Sequence, residues 1–171
     1  NTPRKKLVEW GYCLLDDMIR DYEAMDKPEH AKPVILIAPS WQEGNIVDSC
    51  LDDILTGLSG KGYHVVVRPH PQHIRHKRAY MEALAEKFRS DSDVEIQLDF
   101  SSDSTVFGAD VLISDWSSIA FEFAYTTLKP VLFINTPMKV MNPDYDKIAE
   151  VPIDIAVRNE IGRALDLDEI D

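Results

Sequence analysis

Apolar residues along the chain form two alternating patterns: short continuous runs, and longer stretches with the spacing of one helix face. The first run, residues 34–38, is apolar throughout, which is typical of a strand buried on both faces. Apolar residues at helical spacing follow it to Leu58, and Gly60 is placed to end that helix. Further apolar or alternating runs predict more strands, at residues 64–68, 94–98, 111–113 and 131–134.

Helical spacing accounts for much of the sequence between these predicted strands. It predicts a helix at residues 80–88, a short one at residues 101–107, and a buried one at residues 119–125, where nearly every residue is apolar. A further helix over residues 14–25 precedes the first strand, and a polar connector containing Pro28 separates the two.

The order of these elements predicts the fold class. Residues 1–33 are expected to be a helical lead-in and connector, and residues 34–171 one Rossmann-like nucleotide-binding domain of the α/β class. Strands that alternate with helices predict a doubly wound parallel sheet with right-handed crossovers and the strand order 3-2-1-4-5. After Ile134 the pattern is less regular, and residues 161–167 predict the start of one more helix.

Polar residues concentrate in the loops that follow predicted strands 1, 2 and 4. In the order 3-2-1-4-5 the winding reverses between strands 1 and 4, and ligands bind outside the carboxyl ends of the strands at such a point. The first of these loops is Pro39-Ser40-Trp41. We expect Ser40 to belong to a ligand site there and Trp41 to cover the core.

The loop after strand 2, Arg68-Pro69-His70-Pro71, carries two candidate phosphate ligands. The prolines stiffen the turn and hold the preceding residues extended, which would aim Arg68 and His70 in fixed directions. A guanidinium offers phosphate a planar fork of donors, and an imidazole donates one hydrogen bond or two. The pattern favours a pyrophosphate clamp over a rigid surface turn. Solvated surface is the expectation for His64, His73 and His76.

The loop after strand 4 combines polar side chains with a predicted helix start. Ser114 and Asp115 follow the strand, and Ser117 and Ser118 stand where the buried helix should begin. A helix N-terminus binds phosphate through free N–H groups and partial positive charge, and two hydroxyls would add donors. Simple helix capping is the alternative, and it explains one serine but not the whole set. Glu122 fits either a partner of ribose hydroxyls or a complement to the helix dipole.

Composition narrows the classes of function. The chain has 171 residues and a net charge of −12, so binding to nucleic-acid phosphates is not expected. Cys13 and Cys50 fit no disulfide framework and indicate a reducing compartment. No spacing predicts a metal site, and no cofactor is expected. The sequence contains neither a phosphate loop ending Gly-Lys-Ser/Thr nor a Gly-x-Gly-x-x-Gly motif, which argues against a P-loop NTPase and a simple NAD domain.

Two motifs taken together resemble the CDP-glycerol glycerophosphotransferase family, whose members polymerise the polyol-phosphate chains of teichoic acids. These motifs are Arg68-Pro69-His70-Pro71 and residues 112–124, which contain Leu-Ile-Ser-Asp-Trp-Ser-Ser and Phe-Glu-Phe-Ala. Residues 37–41 and 129–133 resemble the first and fifth donor-domain strands of the family. The sequence departs from the family pattern at Cys13, where a Gly-Tyr-Pro turn is usual, and the resemblance is poor after the fifth strand.

The resemblance implies the carboxyl-terminal, donor-binding half of a two-domain glycosyltransferase of the B type. It implies metal-independent transfer of glycerol phosphate, or a related polyol phosphate, from CDP-glycerol to a hydroxyl of a lipid-linked acceptor, with release of CMP. In that account Arg68 and His70 act in catalysis by holding the donor's pyrophosphate, and Ser117, Ser118 and the helix N-terminus share that task. The predicted donor site also includes Ser40, Ser114 and Asp115 at the pyrophosphate and Glu122 at the ribose.

A catalytic base would then lie in another half of the protein. The chain starts at Asn1 without a methionine and stops at Asp171, so we expect a piece of a longer protein that binds donor without turnover. For the longer protein the resemblance implies a cytoplasmic location, peripheral on the inner face of the cell membrane.

Two other classes of function stay open at this point. A UDP-sugar glycosyltransferase or UDP-sugar 2-epimerase half-domain would have similar pyrophosphate loops, and the preference for cytosine or uracil would separate it. A flavodoxin-like binding module is disfavoured, because a receiver needs an acidic cluster after strand 1 and Ser40-Trp41 supplies none.

Overall fold

The computed structural model describes residues 6, 8–27, 29–99 and 104–170. These residues form a six-stranded sheet in which all neighbouring strands are parallel. In chain order the strands are β1 (Val34–Ile37), β2 (His64–Val67), β3 (Val94–Ile96), β4 (Val111–Ser114), β5 (Val131–Asn135) and β6 (Gly162–Asp166). Their order across the sheet is β3-β2-β1-β4-β5-β6, which confirms the predicted 3-2-1-4-5 and adds a strand at the edge.

Helices cover both faces of the sheet. They are α1 (Cys13–Ala24), α2 (Ile46–Ser49), α3 (Leu51–Leu58), α4 (Pro71–His76), α5 (Arg78–Lys87), α6 (Ser104–Gly108), α7 (Ile119–Thr127), α8 (Ile153–Ala156) and α9 (Arg158–Ile161). Short 3-10 helices lie at Tyr145–Lys147 and Leu167–Glu169. Buried side chains of α1, α6 and α7 pack on one face and those of α2, α3 and α5 on the other, so the doubly wound, Rossmann-like α/β fold is confirmed.

Strand β1 lies between two hydrophobic cores. All of its residues are buried, and successive side chains point to opposite faces of the sheet. Leu36 belongs to the core with α1, α6 and α7, whereas Ile37 belongs to the other core. The lead-in helix α1 contributes Met18 and Tyr22 to the first core. No helix in the described part of the chain is long and apolar enough to cross a membrane.

The structure corrects the prediction for the last strand. Residues 161–167 predicted the start of a helix, but Gly162–Asp166 form β6 and pair with β5 along its whole length. A Cβ on Gly162 would stand 1.8 Å from the carbonyl oxygen of Val131, so only glycine allows the two backbones to come this close. The unpaired backbone groups at the edge of β5 outweigh the local helical pattern.

Two helical segments also differ from the predictions. His73 and His76 were expected at the solvated surface, with no helix predicted there, but they lie in α4. Its first turn holds Pro71, because a missing N–H is tolerated at that position. The helix predicted up to Leu58 is interrupted at Cys50 and splits into α2 and α3. The short helix predicted at residues 101–107 is present as α6 from Ser104 onward, and its first residues lie outside the described part of the chain.

Candidate functional site

A cleft opens at the carboxyl ends of β1, β2 and β4, where the winding of the sheet reverses. It encloses about 210 Å³. Its described walls come from the loops after β1 and β2, from α6 and from the start of α7: Ala38, Pro39, Arg68, Pro69, His70, Pro71, Val106, Ser117 and Ile119. Three of the predicted site residues, Arg68, His70 and Ser117, therefore meet in one place.

His70 is oriented by the helix that it starts. It is the N-cap of α4, and its Nδ1 accepts a hydrogen bond from the backbone N–H of Gln72 at 3.2 Å. Because Nδ1 accepts, the neutral ring carries its proton on Nε2, for which no described residue is a partner. Burial lowers the pKa of His70 below its ordinary 6.5, and the charge of Lys139 lowers it further. The ring is therefore a neutral donor at pH 7.

Arg68 begins the same loop at the end of β2. Its backbone N–H donates to the carbonyl oxygen of Ile37 at 2.8 Å, so the loop continues the pairing of β2 with β1. The side chain is half-buried and lines the cleft beside Pro69 and His70. Because a guanidinium is always protonated in proteins, Arg68 gives this wall a permanent positive charge.

Ser114 and Ser40 are buried and lie outside the described lining of the cleft. The Ser114 hydroxyl donates to the carbonyl oxygen of Ala38 at 2.7 Å, which joins the ends of β4 and β1. The Ser40 hydroxyl is buried without a partner among the described residues, directly after Pro39 in the cleft wall.

Asp115 is also buried, and its carboxylate is surrounded by donors from the protein itself. It accepts from the backbone N–H of Ser40 at 2.7 Å, from that of Ile46 at 3.2 Å, and from the Thr136 hydroxyl at 3.4 Å. These bonds connect the loops after β1, β4 and β5 with the start of α2. In this structure the side chain holds the loops around the cleft together.

The irregular tail completes this support through a residue that the sequence analysis missed. Arg158 is buried, and donates to the carbonyl oxygen of Asp115 at 2.9 Å and to the side chain of Asn135 at 2.7 Å. Its guanidinium lies 4.2 Å from the ring centroid of Trp116 and 4.3 Å from that of Phe133. No local motif could have revealed this, because Arg158 follows Asp115 by 43 residues.

Ser117 and Ser118 lie at the N-terminus of α7. Ser117 is half-buried and lines the cleft, whereas Ser118 is exposed. Ser118 occupies the N-cap position with helical backbone angles, and its side chain makes no capping hydrogen bond. Because no described residue bonds to either hydroxyl, both can donate to a ligand near the positive end of the helix dipole.

Glu122 is buried one turn into α7 and is not among the described residues that line the cleft. One carboxylate oxygen accepts a hydrogen bond of 2.5 Å from the hydroxyl of Tyr12, whose ring packs on that of Phe121. That hydrogen bond, with desolvation and the negative charge of Glu122, raises the pKa of Tyr12 to about 12. The structure therefore brings Glu122 to the lead-in segment and does not place it beside Arg68 and His70.

His73, expected at the surface, is only 2 % exposed. Its Nε2 lies 2.9 Å from the side-chain nitrogen of Asn45, the N-cap of α2. The Asn45 oxygen accepts from the N–H of Val47 at 2.7 Å, so its nitrogen must donate to His73. Burial lowers the pKa of His73, in keeping with a neutral ring. Because proline is common in the first turn of a helix, Pro71 could have predicted α4 from the sequence. A helix there would have had a face toward the core, on which His73 lies.

Three side chains stack at the rim of the cleft. Trp41 was expected to cover the core but is 43 % exposed, because the N–H of the preceding Ser40 is bonded inward to Asp115 and the chain then turns outward. The ring centroids of Trp41 and His70 are 6.2 Å apart. The Nζ of Lys139, from the segment after β5, lies 5.6 Å from the Trp41 centroid.

The donors around the cleft suit an anion. A guanidinium, an imidazole N–H, free hydroxyls and a helix N-terminus are the groups that proteins use to bind phosphate. Within the described ranges, no group of three or more His, Cys, Asp or Glu side chains could hold a metal ion.

A sequence model of the family described as CDP-glycerol:poly(glycerophosphate) glycerophosphotransferase matches residues 2–143, which confirms the family resemblance read from the motifs. Among curated proteins, none matches the chain. Similar solved structures include the wall teichoic acid polymerase TagF, with 22 % identity over 68 % of this chain and a TM-score of 0.41. A TagF variant soaked with CDPG has 22 % identity over 70 % and a TM-score of 0.43.

A third similar structure is KpsC from Thermosulfurimonas dismutans, a beta Kdo 2,7 transferase, with 17 % identity over 73 % of this chain and a TM-score of 0.42. The chain spans 28 % and 27 % of the two TagF chains and 42 % of KpsC.

Proposed function

The chain belongs to the CDP-glycerol:poly(glycerophosphate) glycerophosphotransferase family, and from this premise we propose that its cleft binds the pyrophosphate of a CDP-activated polyol donor. The observation that carries the proposal is the meeting of Arg68, His70 and Ser117 around one cleft, at the point where the sheet reverses its winding. Parallel α/β sheets bind their ligands at such points.

Each of these groups has a separate part in the proposal. Arg68 contributes a permanent positive charge and a planar fork of donors. His70 contributes a neutral N–H at Nε2, because Nδ1 is occupied by the start of α4. Ser117 and Ser118 contribute hydroxyls next to the first turn of α7, whose partial positive charge favours an anion.

The buried residues of the predicted site act mainly by positioning. Ser114 and Asp115 hold the loops after β1 and β4 in place through bonds inside the protein. Ser40 differs from them because its hydroxyl has no partner among the described residues. In the proposal, Ser40 is the buried residue that reaches the donor when the loop adjusts around it.

Glu122 is proposed to accept a hydrogen bond from a ribose hydroxyl through the carboxylate oxygen that Tyr12 leaves free. This part of the proposal depends on the donor extending along α7 beyond the described lining of the cleft. Equal affinity of the chain for CDP and for 2′,3′-dideoxy-CDP would remove Glu122 from the site.

In the proposed reaction a hydroxyl oxygen of a lipid-linked acceptor attacks the phosphorus of the glycerol phosphate. The bond from that phosphorus to the bridging oxygen breaks, and CMP leaves with the electron pair. Arg68 and His70 stabilise the charge on the leaving phosphate, and such positioning and charge stabilisation is most of what a protein contributes to phosphoryl transfer.

The proton of the attacking hydroxyl needs a base. We assign this base to another part of the longer protein, because the described lining of the cleft contains no carboxylate and Nδ1 of His70 already accepts from Gln72. We also propose that the longer protein lies on the inner face of the cell membrane. The cleft volume of about 210 Å³ is below the roughly 300–1,000 Å³ of complete ligand pockets, which fits one wall of a shared site.

Calorimetric titration with CDP-glycerol, CDP and UDP tests the proposal. The key variant is His70→Asn, because asparagine keeps an N-cap acceptor for α4 and removes only the imidazole. We expect it to weaken CDP-glycerol binding by about tenfold, the effect of losing one hydrogen bond to a charged phosphate. The matched control is His76→Asn, since His76 is exposed on the same helix.

The outcomes separate the alternatives. Binding of the cytidine compounds in preference to UDP, weakened by His70→Asn and not by His76→Asn, supports the proposal. Equal or tighter binding of UDP favours a sugar transferase that uses a UDP-activated donor. Native affinity in His70→Asn removes His70 from the site.

A further inference from the structure

We infer that Lys139 is a second cationic ligand of the donor's pyrophosphate, beside Arg68, and that Trp41 holds its ammonium at the rim of the cleft. The inference rests on the proposed function. It extends the site to the segment after β5, where the sequence carries no recognisable motif.

The first observation is the stack at the rim. The Lys139 ammonium lies 5.6 Å from the centroid of the Trp41 ring, and that ring lies 6.2 Å from the His70 ring at an interplanar angle of 34°. An ammonium over an indole face is held by the ring quadrupole, which limits the freedom of a long side chain. Trp41 thus keeps the charge of Lys139 on the side of the cleft that His70 occupies.

The second observation is that the root of this segment is fixed. Trp116 donates from Nε1 to the carbonyl oxygen of Thr136 at 2.8 Å, and the Thr136 hydroxyl donates to the buried Asp115. Gln42 donates to the carbonyl oxygen of Pro137 at 3.4 Å. Lys139 therefore follows a stretch of chain that is tied to the loops after both β1 and β4.

The third observation is the charge balance. Several lysines of the described residues pair with carboxylates, as Lys77 does with Asp48 and Lys147 with Asp144, each at 2.7 Å. Lys139 is half-buried and pairs with no carboxylate of the described residues. In a chain of net charge −12, an unpaired ammonium next to the cleft marks a place for an external anion.

The effect of this charge already reaches His70, whose pKa is lowered by burial first and by Lys139 second. Two cationic side chains, Arg68 and Lys139, then flank a ring that stays neutral. A diphosphate that enters the cleft offsets the charge of both cations and accepts hydrogen bonds from Arg68, His70 and Lys139.

Lys139→Gln tests the inference, with Lys147→Gln as the matched control because it makes the same charge change in the same segment. NMR titrations with CDP and with cytidine measure affinity with and without the phosphates, and they also report the pKa of His70. We expect Lys139→Gln to weaken CDP by about tenfold, to leave cytidine unchanged, and to raise the pKa of His70. Lys147→Gln should match the native chain in all three.

The outcomes separate this inference from the proposed function. If the native chain binds CDP and Lys139→Gln binds it equally well, Lys139 only covers Trp41; the inference is overturned and the proposed function stands. If the native chain does not bind CDP, the proposed function fails and the inference with it. Adding Trp41→Leu to Lys139→Gln should cause no further loss of CDP affinity, and a further loss would overturn the holding role of Trp41.

Discussion

The loops after β2 and β4 look equally suited to phosphate in the sequence, yet the structure orients their side chains differently. In the loop after β2, Arg68 and His70 line the cleft, and Nε2 of His70 has no described partner. In the loop after β4, Ser114 and Asp115 are buried and bond to other parts of the protein. Only the end of that loop, at Ser117, reaches the cleft.

The position of each loop in the sheet explains this difference. β4 lies between β1 and β5, so its loop is covered by the loops of both neighbours and by α9. Buried polar groups must find hydrogen-bond partners. Here Asp115 accepts from the backbone N–H groups of Ser40 and Ile46, and the Ser114 hydroxyl donates to the carbonyl oxygen of Ala38. The loop after β2 continues into the short helix α4 along one wall of the cleft, and Arg68 and His70 line that wall.

Among the substitutions in these two loops, Asp115→Ala should change the free energy of unfolding most. It leaves two backbone N–H groups and the Thr136 hydroxyl without their acceptor in a buried place. We expect the free energy of unfolding to fall by about 3 kcal/mol, measured by urea denaturation. The exposed Asp144→Ala should cost less than about 1 kcal/mol. If Asp115→Ala keeps native stability but no longer binds CDP-glycerol, Asp115 contacts the ligand, and the contrast between the two loops is wrong.

Two serines of the same loop should have smaller and opposite effects, one on stability and the other on binding. Ser114→Ala should lower the free energy of unfolding by about 1–2 kcal/mol without changing affinity for CDP-glycerol, because its hydroxyl bonds only inside the protein. Ser117→Ala should instead weaken binding by about 1–2 kcal/mol at unchanged stability. Urea denaturation and calorimetry on the same samples check both, and an exchange of the two results would contradict the assignment.

A weaker effect, a pH dependence of the free energy of unfolding, is expected from the buried His73 of α4, the helix that follows the loop after β2. Burial lowers the pKa of His73 below its unfolded value of 6.5, so the unfolded chain binds more protons in the window just below pH 6.5. The neutral, buried ring of His73 therefore has no cost in stability above pH 6.5. As the pH falls from 6.5 toward the folded pKa, the unfolded chain gains protons that the folded chain does not, and the free energy of unfolding decreases. Urea denaturation from pH 7.5 to 5.5 should show that fall, and His73→Gln should reduce it. His76→Gln is the control, because His76 is exposed, and it should leave that fall unchanged. A free energy of unfolding that rises on acidification would contradict the burial of a neutral His73 ring.

Much of the fold could be predicted because its signals are local. The continuous apolar run of β1 reflects burial on both faces, and the alternation of strands with helices restricts the sheet to few topologies. The cleft residues Arg68, His70 and Ser117 could be proposed because the carboxyl ends of parallel strands share one edge.

The five-strand order, the family and the loops that surround the cleft could all be predicted, since each depends on spacing and residue type along a short stretch. The polar side chains that face inward could not be predicted, because their partners are distant in the chain: Arg158 meets Asp115 across 43 residues and Tyr12 meets Glu122 across 110. The same holds for β6, which forms because the edge of β5 is unpaired and Gly162 allows close approach. Local sequence encodes the periodicity of burial, whereas hydrogen-bond partners and side-chain direction follow from contacts that exist only in the folded chain.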